Sequence, residues 1–265
     1  MNENIQEVSA AEPPLIEPAQ LARWILFQDD EVVVVNKPGW VVCHPSKRGP
    51  WSSLVSALRE QLGSATLHLV TRLDRETSGV VVVARHPLAA RRYQMAMQNR
   101  RVEKFYLALL EGELSGEITV DAPLLRDEQS EVAVKRRVGA PGEPGAEAAQ
   151  TRFAPIVSKN NLTLARVEPH TGRTHQIRVH AAHLGHAIVG DKLYGPDSTL
   201  YLEFARQGWT TRLAEKLPLR RQALHAARLR FLDAGLGDFT APPPEDLARF
   251  FREQTGLDLT KMWTN

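Results

Sequence analysis

Runs of β-branched residues alternate with one-faced amphipathic stretches along the first hundred positions. Ile25 opens a short apolar segment that breaks at Asp29-Asp30, and Val32-Val33-Val34-Val35 follows, closed by Asn36-Lys37-Pro38-Gly39. A continuous valine run between turn residues predicts a buried strand. From Trp51 to Leu62 the apolar residues Leu54, Val55, Leu58 and Leu62 share one helical face and Gly63 supplies a stop, which predicts a helix. Gly79 to Ala84 reads as a second apolar strand, and the polar segment Thr71 to Ser78 before it as a strand-edge loop. Pro87 occupies a first helical position ahead of Leu88 to Gln98, a stretch of good helix formers with several arginines.

The middle of the chain reads as β, with strands at Lys104 to Leu110, Gly116 to Ala122, Gln150 to Ile156 and Leu162 to Glu168. Residues 126 to 149 are polar and run into Gly-Ala-Pro-Gly-Glu-Pro-Gly, so a long mobile loop that closes on a ligand is expected there. Ile177, Ala181 and Leu184 fall at i, i+4 and i+7, predicting a helix from Thr174 to Leu184 that ends at Gly185. Residues 1 to 22 combine Glu, Pro and Ala with little periodicity. They are expected to form an acidic flexible arm, with residues 23 to 265 as one domain.

Composition narrows the class. The 33 Lys and Arg against 31 Asp and Glu give a net charge of only +2. The first twenty residues, however, hold four Glu and no Lys or Arg, so the remainder carries 33 − 27 = +6. Basic clusters at Arg91-Arg92, Arg100-Arg101, Lys135-Arg136-Arg137 and Arg220-Arg221 suit a phosphate backbone. A single cysteine, Cys43, excludes a disulfide framework and a zinc site built on several thiolates, and makes the cytoplasm the natural compartment. No apolar run approaches the ~20 residues of a spanning helix, and the N-terminus lacks the features of a signal peptide, so no membrane association is expected.

Three constellations could carry chemistry. In Arg72-Leu73-Asp74-Arg75-Glu76-Thr77-Ser78-Gly79 a carboxylate stands beside arginines on a turn that leads into an apolar strand. A nearby guanidinium keeps a dehydrated carboxylate ionised, as a nucleophile requires. In Lys104-Phe105-Tyr106-Leu107-Ala108 alternation puts Lys104 and Tyr106 on one face, where a tyrosine can stack on a base. The third segment, from His170 to His186, holds five histidines in seventeen residues. His180 and His183 would share a helical face with His175 offset, and no carboxylate completes a hydrolase spacing such as HExxH. Packing, helix ends and RNA contacts are therefore expected of them rather than a metal.

Read together, Arg-Leu-Asp-x-x-Thr-Ser-Gly at 72–79, Lys-x-Tyr-x-Ala at 104–108 and Gly-Arg-Thr-His-Gln-Ile-Arg-Val-His at 172–180, followed by Gly190-Asp191, resemble the RluA-type RNA pseudouridine synthases. The resemblance implies an α+β fold with a large mixed, mostly antiparallel β-sheet, flanking helices and a central RNA-binding cleft. It implies isomerisation of specific uridines to pseudouridine in structured RNA, ribosomal or transfer, without cofactor, metal or obligatory protein partner, by a monomer. The family's nucleophile falls on Asp74, its stacking tyrosine on Tyr106 and the arginine paired with the nucleophile on Arg178. Arg72 matches the residue associated with base displacement, Arg173 and His175 belong to a substrate-binding segment, and Leu224 and His225 match a C-terminal pocket element. Thr71 departs from the histidine usual before Arg-Leu-Asp. The acidic residues before Trp24 do not suit an S4 RNA-binding module, so grip on RNA is expected from the catalytic domain.

Overall fold

The computed structural model describes residues 14–44 and 49–259. In chain order it holds α1 (Pro18–Trp24), β1 (Ile25–Gln28), β2 (Val32–Lys37), α2 (Leu54–Leu62), β3 (His68–Leu69), β4 (Ser78–Ala84), α3 (Pro87–Gln98), β5 (Val102–Glu111) and β6 (Ile118–Asp121). There follow β7 (Leu124–Arg126), β8 (Arg136–Val138), β9 (Gln150–Lys159), β10 (Leu162–Pro169), α4 (Gln176–His183), α5 (Thr199–Gln207), α6 (Thr211–Lys216), β11 (Leu224–Phe231), β12 (Asp238–Thr240) and α7 (Glu245–Thr255). None of these helices is long and apolar enough to cross a membrane.

One sheet dominates, running β1-β2-β4-β11-β5-β10-β9-β6, with β3 on β4 and β12 on β11. Its pairings are antiparallel except that of β4 with β11, which places Ser78 opposite His225 and Gly79 opposite Ala226. The valine runs explain one half of it. Val32, Val34, Val80 and Val82 face α3, whereas Val33, Val35, Val81 and Val83 face α1 and α2, so the alternation of a strand serves two cores. The other half packs Leu107, Leu109, Phe153, Leu164 and Val167 against α4 and α7. This is the mixed, mostly antiparallel α+β architecture expected.

Local signals hold where they were strongest. Ser53 caps α2 by accepting from the Ser56 N–H, and Gly63 ends the helix with φ +59°. Pro87 opens α3 with His86 as its cap.

Three expectations need correction. Residues 1–13 of the expected arm lie outside the described residues, but order begins well before Trp24. The Ile16 N–H donates to the Trp51 carbonyl at 2.8 Å, and Leu21 is fully buried in the core under α2. Residues 126–149 are not a structureless loop. β7 pairs with β8, Leu124, Val132 and Ala149 are buried with Val179, Leu193 and Tyr194, and Arg137 pairs with Glu143 at 2.5 Å. A few spaced apolar residues sufficed because α4 and residues 193–194 complete their cluster. The helix expected from Thr174 begins two residues later, because His175 adopts φ +57° and the Gln176 side chain accepts from the Arg173 N–H and the Thr171 hydroxyl.

If residues 16–24 belong to the core, Leu21→Ala should lower the unfolding free energy by about 2–5 kcal/mol in urea titrations. A loosely attached arm would give a change within about 0.5 kcal/mol.

Candidate active site

The segment between β3 and β4 is braced from three directions. Glu76 accepts from the Lys192 ammonium at 2.9 and 3.0 Å and from the Gln222 N–H at 3.2 Å. The Thr77 hydroxyl accepts from the Gln222 amide at 2.6 Å, and Arg221 donates to the Glu76 carbonyl at 3.0 Å while pairing with Asp246. Lys37, fully buried, donates to the Pro38, Val41 and Arg75 carbonyls; desolvation brings its pKa down to about 8. Gly79, with φ +120°, is required by this packing. A Cβ there would lie 2.2 Å from the Ala226 carbonyl oxygen, so any other residue would push β4 from β11.

The turn so held delivers Asp74 to Arg178. One Asp74 oxygen, Oδ2, accepts from an Arg178 terminal nitrogen at 2.8 Å. The other two guanidinium contacts go to Asp191, at 2.6 and 2.9 Å, a bidentate pair in which Asp191 is fully buried. Asp191 also accepts from the Leu193 and Tyr194 N–H groups. Burial pushes the Asp74 carboxyl upward, but the charge and hydrogen bond of Arg178, with His175 beside it, outweigh this and hold it below the usual carboxylate range. Asp74 is thus ionised at neutral pH while Oδ1 takes no hydrogen bond among the described residues.

Asp74 lies in a cleft of about 630 Å³ that crosses the middle of the sheet. Tyr106 of β5, flanked by Val167 of β10 and Ala226 of β11, forms one wall with Leu224 and Ile177. Arg72, Arg173 and His175 line it too; Arg72 donates to the Thr174 hydroxyl at 3.2 Å and Arg173 pairs with Glu147 at 2.9 Å. His225 does not reach it. Fully buried, His225 joins the Ser78 hydroxyl at 3.0 Å to the Ala241 carbonyl at 2.9 Å, so the substrate contact expected of it is replaced by a structural bridge. Burial lowers its pKa to about 4.

Two more histidines of the 170–186 segment have protein partners of their own. His180 lies between the Thr151 hydroxyl and the Ala122 carbonyl, and His186 contacts the Glu111 carbonyl. Among the described residues no group of three potential ligands could hold a metal ion.

Sequence reasoning left Asp191, Tyr194 and Arg228 without a role. Gly190-Asp191 was visible as a motif, but nothing local indicated that Asp191 would share Arg178. Arg136 was seen only as one of a basic cluster; its Nε is buried without a hydrogen-bond partner at the cleft. Lys104 donates to the Thr171 carbonyl, and burial with Arg173 nearby brings its pKa to about 8. The arginines of α3 and its end lie elsewhere: Arg92 pairs with Glu31 and Arg101 with Asp233, both on the surface.

A sequence profile described as RNA pseudouridylate synthase matches residues 31–183. The chain is 34% identical over 254 residues to the uncharacterized RNA pseudouridine synthase YjbO of Bacillus subtilis, spanning 93% of this chain and 81% of that protein. It is 38% identical over 250 residues to the ribosomal large subunit pseudouridine synthase C of Escherichia coli K12, spanning 92% and 74%. Among solved structures, human RNA pseudouridylate synthase domain containing 4 superposes with a TM-score of 0.67 at 26% identity, covering 89% of this chain and 94% of that one.

Two outcomes follow from the buried charges. Arg178→Ala would strand the Asp191 carboxylate, and urea unfolding should show a loss of about 3–5 kcal/mol. For His225, the folded pKa of about 4 lies below the ordinary 6.5, so the unfolded chain binds more protons between these values. Its contribution to stability is present above pH 6.5 and is lost as pH falls towards 4, by roughly 2 kcal/mol between about pH 7.5 and about pH 5. Comparing wild type with His225→Asn at the two pH values should show a flatter dependence in the variant.

Proposed function

Since the chain belongs to the RNA pseudouridylate synthase family and is an RNA-modifying isomerase, we propose that Asp74 is the nucleophile with which it converts specific uridines of ribosomal RNA into pseudouridine. The observation that carries this reading is the charge of the cleft. Asp74 is the single carboxylate lining it among the described residues; Arg173, Arg178 and Arg228 are paired with Glu147, Asp191 and Asp238 behind the lining, whereas Arg72, Lys104 and Arg136 pair with no carboxylate among the described residues. Such a lining attracts a polyanion and leaves one ionised acid for chemistry. Ribosomal RNA is the proposed substrate because relatives spanning most of the chain bear the name ribosomal large subunit pseudouridine synthase.

Isomerisation breaks the bond from ribose C1′ to uracil N1, turns the base and rejoins it through C5, with no change of oxidation state. A carboxylate can promote this by adding to uracil C6 or by attack at C1′, and Asp74 serves either route without a cofactor. A uridine in a helix must first leave its stack, at a cost of a few kcal/mol. In this reading Arg72, at the rim, fills the vacated space. Tyr106 holds the flipped base flat, a contact worth ~1–3 kcal/mol, and Leu224 and Ile177 supply the apolar wall. Arg173 and His175 contact the strand beside the target. The enzyme acts in the cytoplasm as a single chain, with residues from about 16 to 259 as one catalytic unit.

Mapping pseudouridines by carbodiimide modification and primer extension, in cells lacking the gene and complemented by wild type or Asp74→Asn, tests the proposal. Defined ribosomal RNA sites should disappear with the gene and return with wild type alone. The purified Asp74→Asn protein should bind RNA within about three-fold of wild type, because the shape of the cleft is kept. Restoration of the sites by Asp74→Asn would remove Asp74 from its role. Separately, Lys104→Met and Arg136→Met should each weaken RNA binding and reduce its salt slope by about one charge.

A further inference from the structure

His175 stands where the mechanism above gives it only a contact with the RNA strand, yet its ring is held by Tyr194 on one side and faces Asp74 on the other. Nδ1 lies 2.8 Å from the Tyr194 hydroxyl, and Nε2 lies 3.9 Å from Asp74 Oδ2, the oxygen that Arg178 already holds. The Tyr194 hydroxyl in turn accepts from the backbone N–H of Arg136 on β8, at 2.8 Å. Tyr194 is buried, at 8% exposure, and its ring lies under the Arg178 guanidinium at 5.0 Å.

These contacts restrict where the protons sit. The Tyr194 hydroxyl has one proton to give, and one of its lone pairs is taken by the Arg136 N–H. Among the described residues, the hydrogen-bond acceptor available to that proton is His175 Nδ1. If Nδ1 carried a hydrogen instead, the Tyr194 oxygen would accept from it as well as from the Arg136 N–H, and the hydroxyl's own proton would be left without a partner among the described residues. Nδ1 is therefore the acceptor, and a neutral ring then carries its proton on Nε2, facing Asp74. Burial and the Arg178 charge, opposed by Asp74 and Asp191, bring the His175 pKa to about 4, in keeping with a neutral ring.

We propose that Tyr194 fixes the tautomer of His175, so that a neutral ring presents Nε2–H to the Arg178-bound oxygen of Asp74 and leaves Oδ1 as the reacting oxygen. The inference rests on the reading of Asp74 as nucleophile. At 3.9 Å the Nε2–H group is not a hydrogen bond in the free enzyme; a closer approach of Asp74 and His175 in the RNA complex makes it one. Tyr194 acts as a positioning residue through His175, and Arg136 through its backbone ties this pair to the β7–β8 hairpin.

The test separates donor chemistry from backbone conformation. His175 sits at φ +57°, which asparagine tolerates better than glutamine. A conformational role therefore predicts that His175→Asn equals or exceeds His175→Gln. The glutamine amide nitrogen, however, reaches the place of Nε2, whereas that of asparagine mimics Nδ1. We expect His175→Gln to exceed His175→Asn by about 10-fold in single-turnover rate at equal RNA affinity. Tyr194→Phe should lower the rate by about 10-fold with RNA affinity unchanged.

Nitrogen-15 spectra of histidine-labelled protein, with His175 assigned by its loss in His175→Gln, should show a protonated Nε2 and an unprotonated Nδ1 in wild type, and a shift towards Nδ1–H in Tyr194→Phe. An Nδ1-protonated ring in active wild type, or His175→Asn matching His175→Gln, overturns the inference while Asp74→Asn stays inactive. Turnover by Asp74→Asn would instead overturn the nucleophile assignment beneath it.

Discussion

A single guanidinium shared between two carboxylates governs this molecule. Arg178 is nearly enclosed, gives two of its hydrogen bonds to the fully buried Asp191 and the third to Asp74. An arginine in that position is tolerable only if its charge is met, and Asp191 is tolerable only if Arg178 and the Leu193 and Tyr194 N–H groups satisfy it. The pair satisfies its own desolvation and still leaves one donor directed at the cleft. That spare donor opposes the upward push of burial on the Asp74 carboxyl and holds it below the usual carboxylate range.

The rest of the fold can be understood as holding the partners of Arg178 at the right separation. Asp74 comes from the turn before β4, Arg178 from α4 and Asp191 from the segment after it, so the sheet must bring distant chain together. It does so at the parallel contact of β4 with β11, where Gly79 admits the Ala226 backbone. His225 and Arg221 fasten the same seam from within, the first between Ser78 and Ala241 and the second between Glu76 and Asp246. Gly190 has the corresponding role beside Asp191: with φ +78°, a Cβ there would stand 2.4 Å from the Arg221 carbonyl. The Glu76–Lys192 pair runs parallel to the Asp74–Arg178–Asp191 chain and joins the same two segments, with the Lys192 ammonium also over the rings of Trp40 and Phe204.

The cleft itself combines an apolar wall with cations. Tyr106, Leu224 and Ile177 form its apolar wall, while among the described residues Lys104, Arg136 and Arg72 meet no carboxylate that would cancel their charge. Arg136 depends on the β7–β8 hairpin, a segment whose order comes from contact with α4 and residues 193–194. The charge of the cleft and the seating of this hairpin are therefore linked through one short piece of chain.

By itself the sequence determined the local elements and the chemical parts. The valine runs, Pro87 ahead of α3 and Gly63 behind α2 each act within a few residues, and the arginine-flanked Asp74, the strand bearing Tyr106 and the segment ending in Arg178 could be read as a set. Residues 247, 250 and 251 show helical spacing as well, and α7 was open to the same reading. What only the tertiary structure decided was which groups meet. The Asp74–Arg178 contact spans 104 positions, Asp191 enters as a second partner of Arg178, and His225 turns inward. The ordering of residues 14–24 and 126–149 was decided the same way. Periodicity reports how a segment can fold on its own face, whereas burial and the satisfaction of charge depend on neighbours that only the assembled sheet supplies.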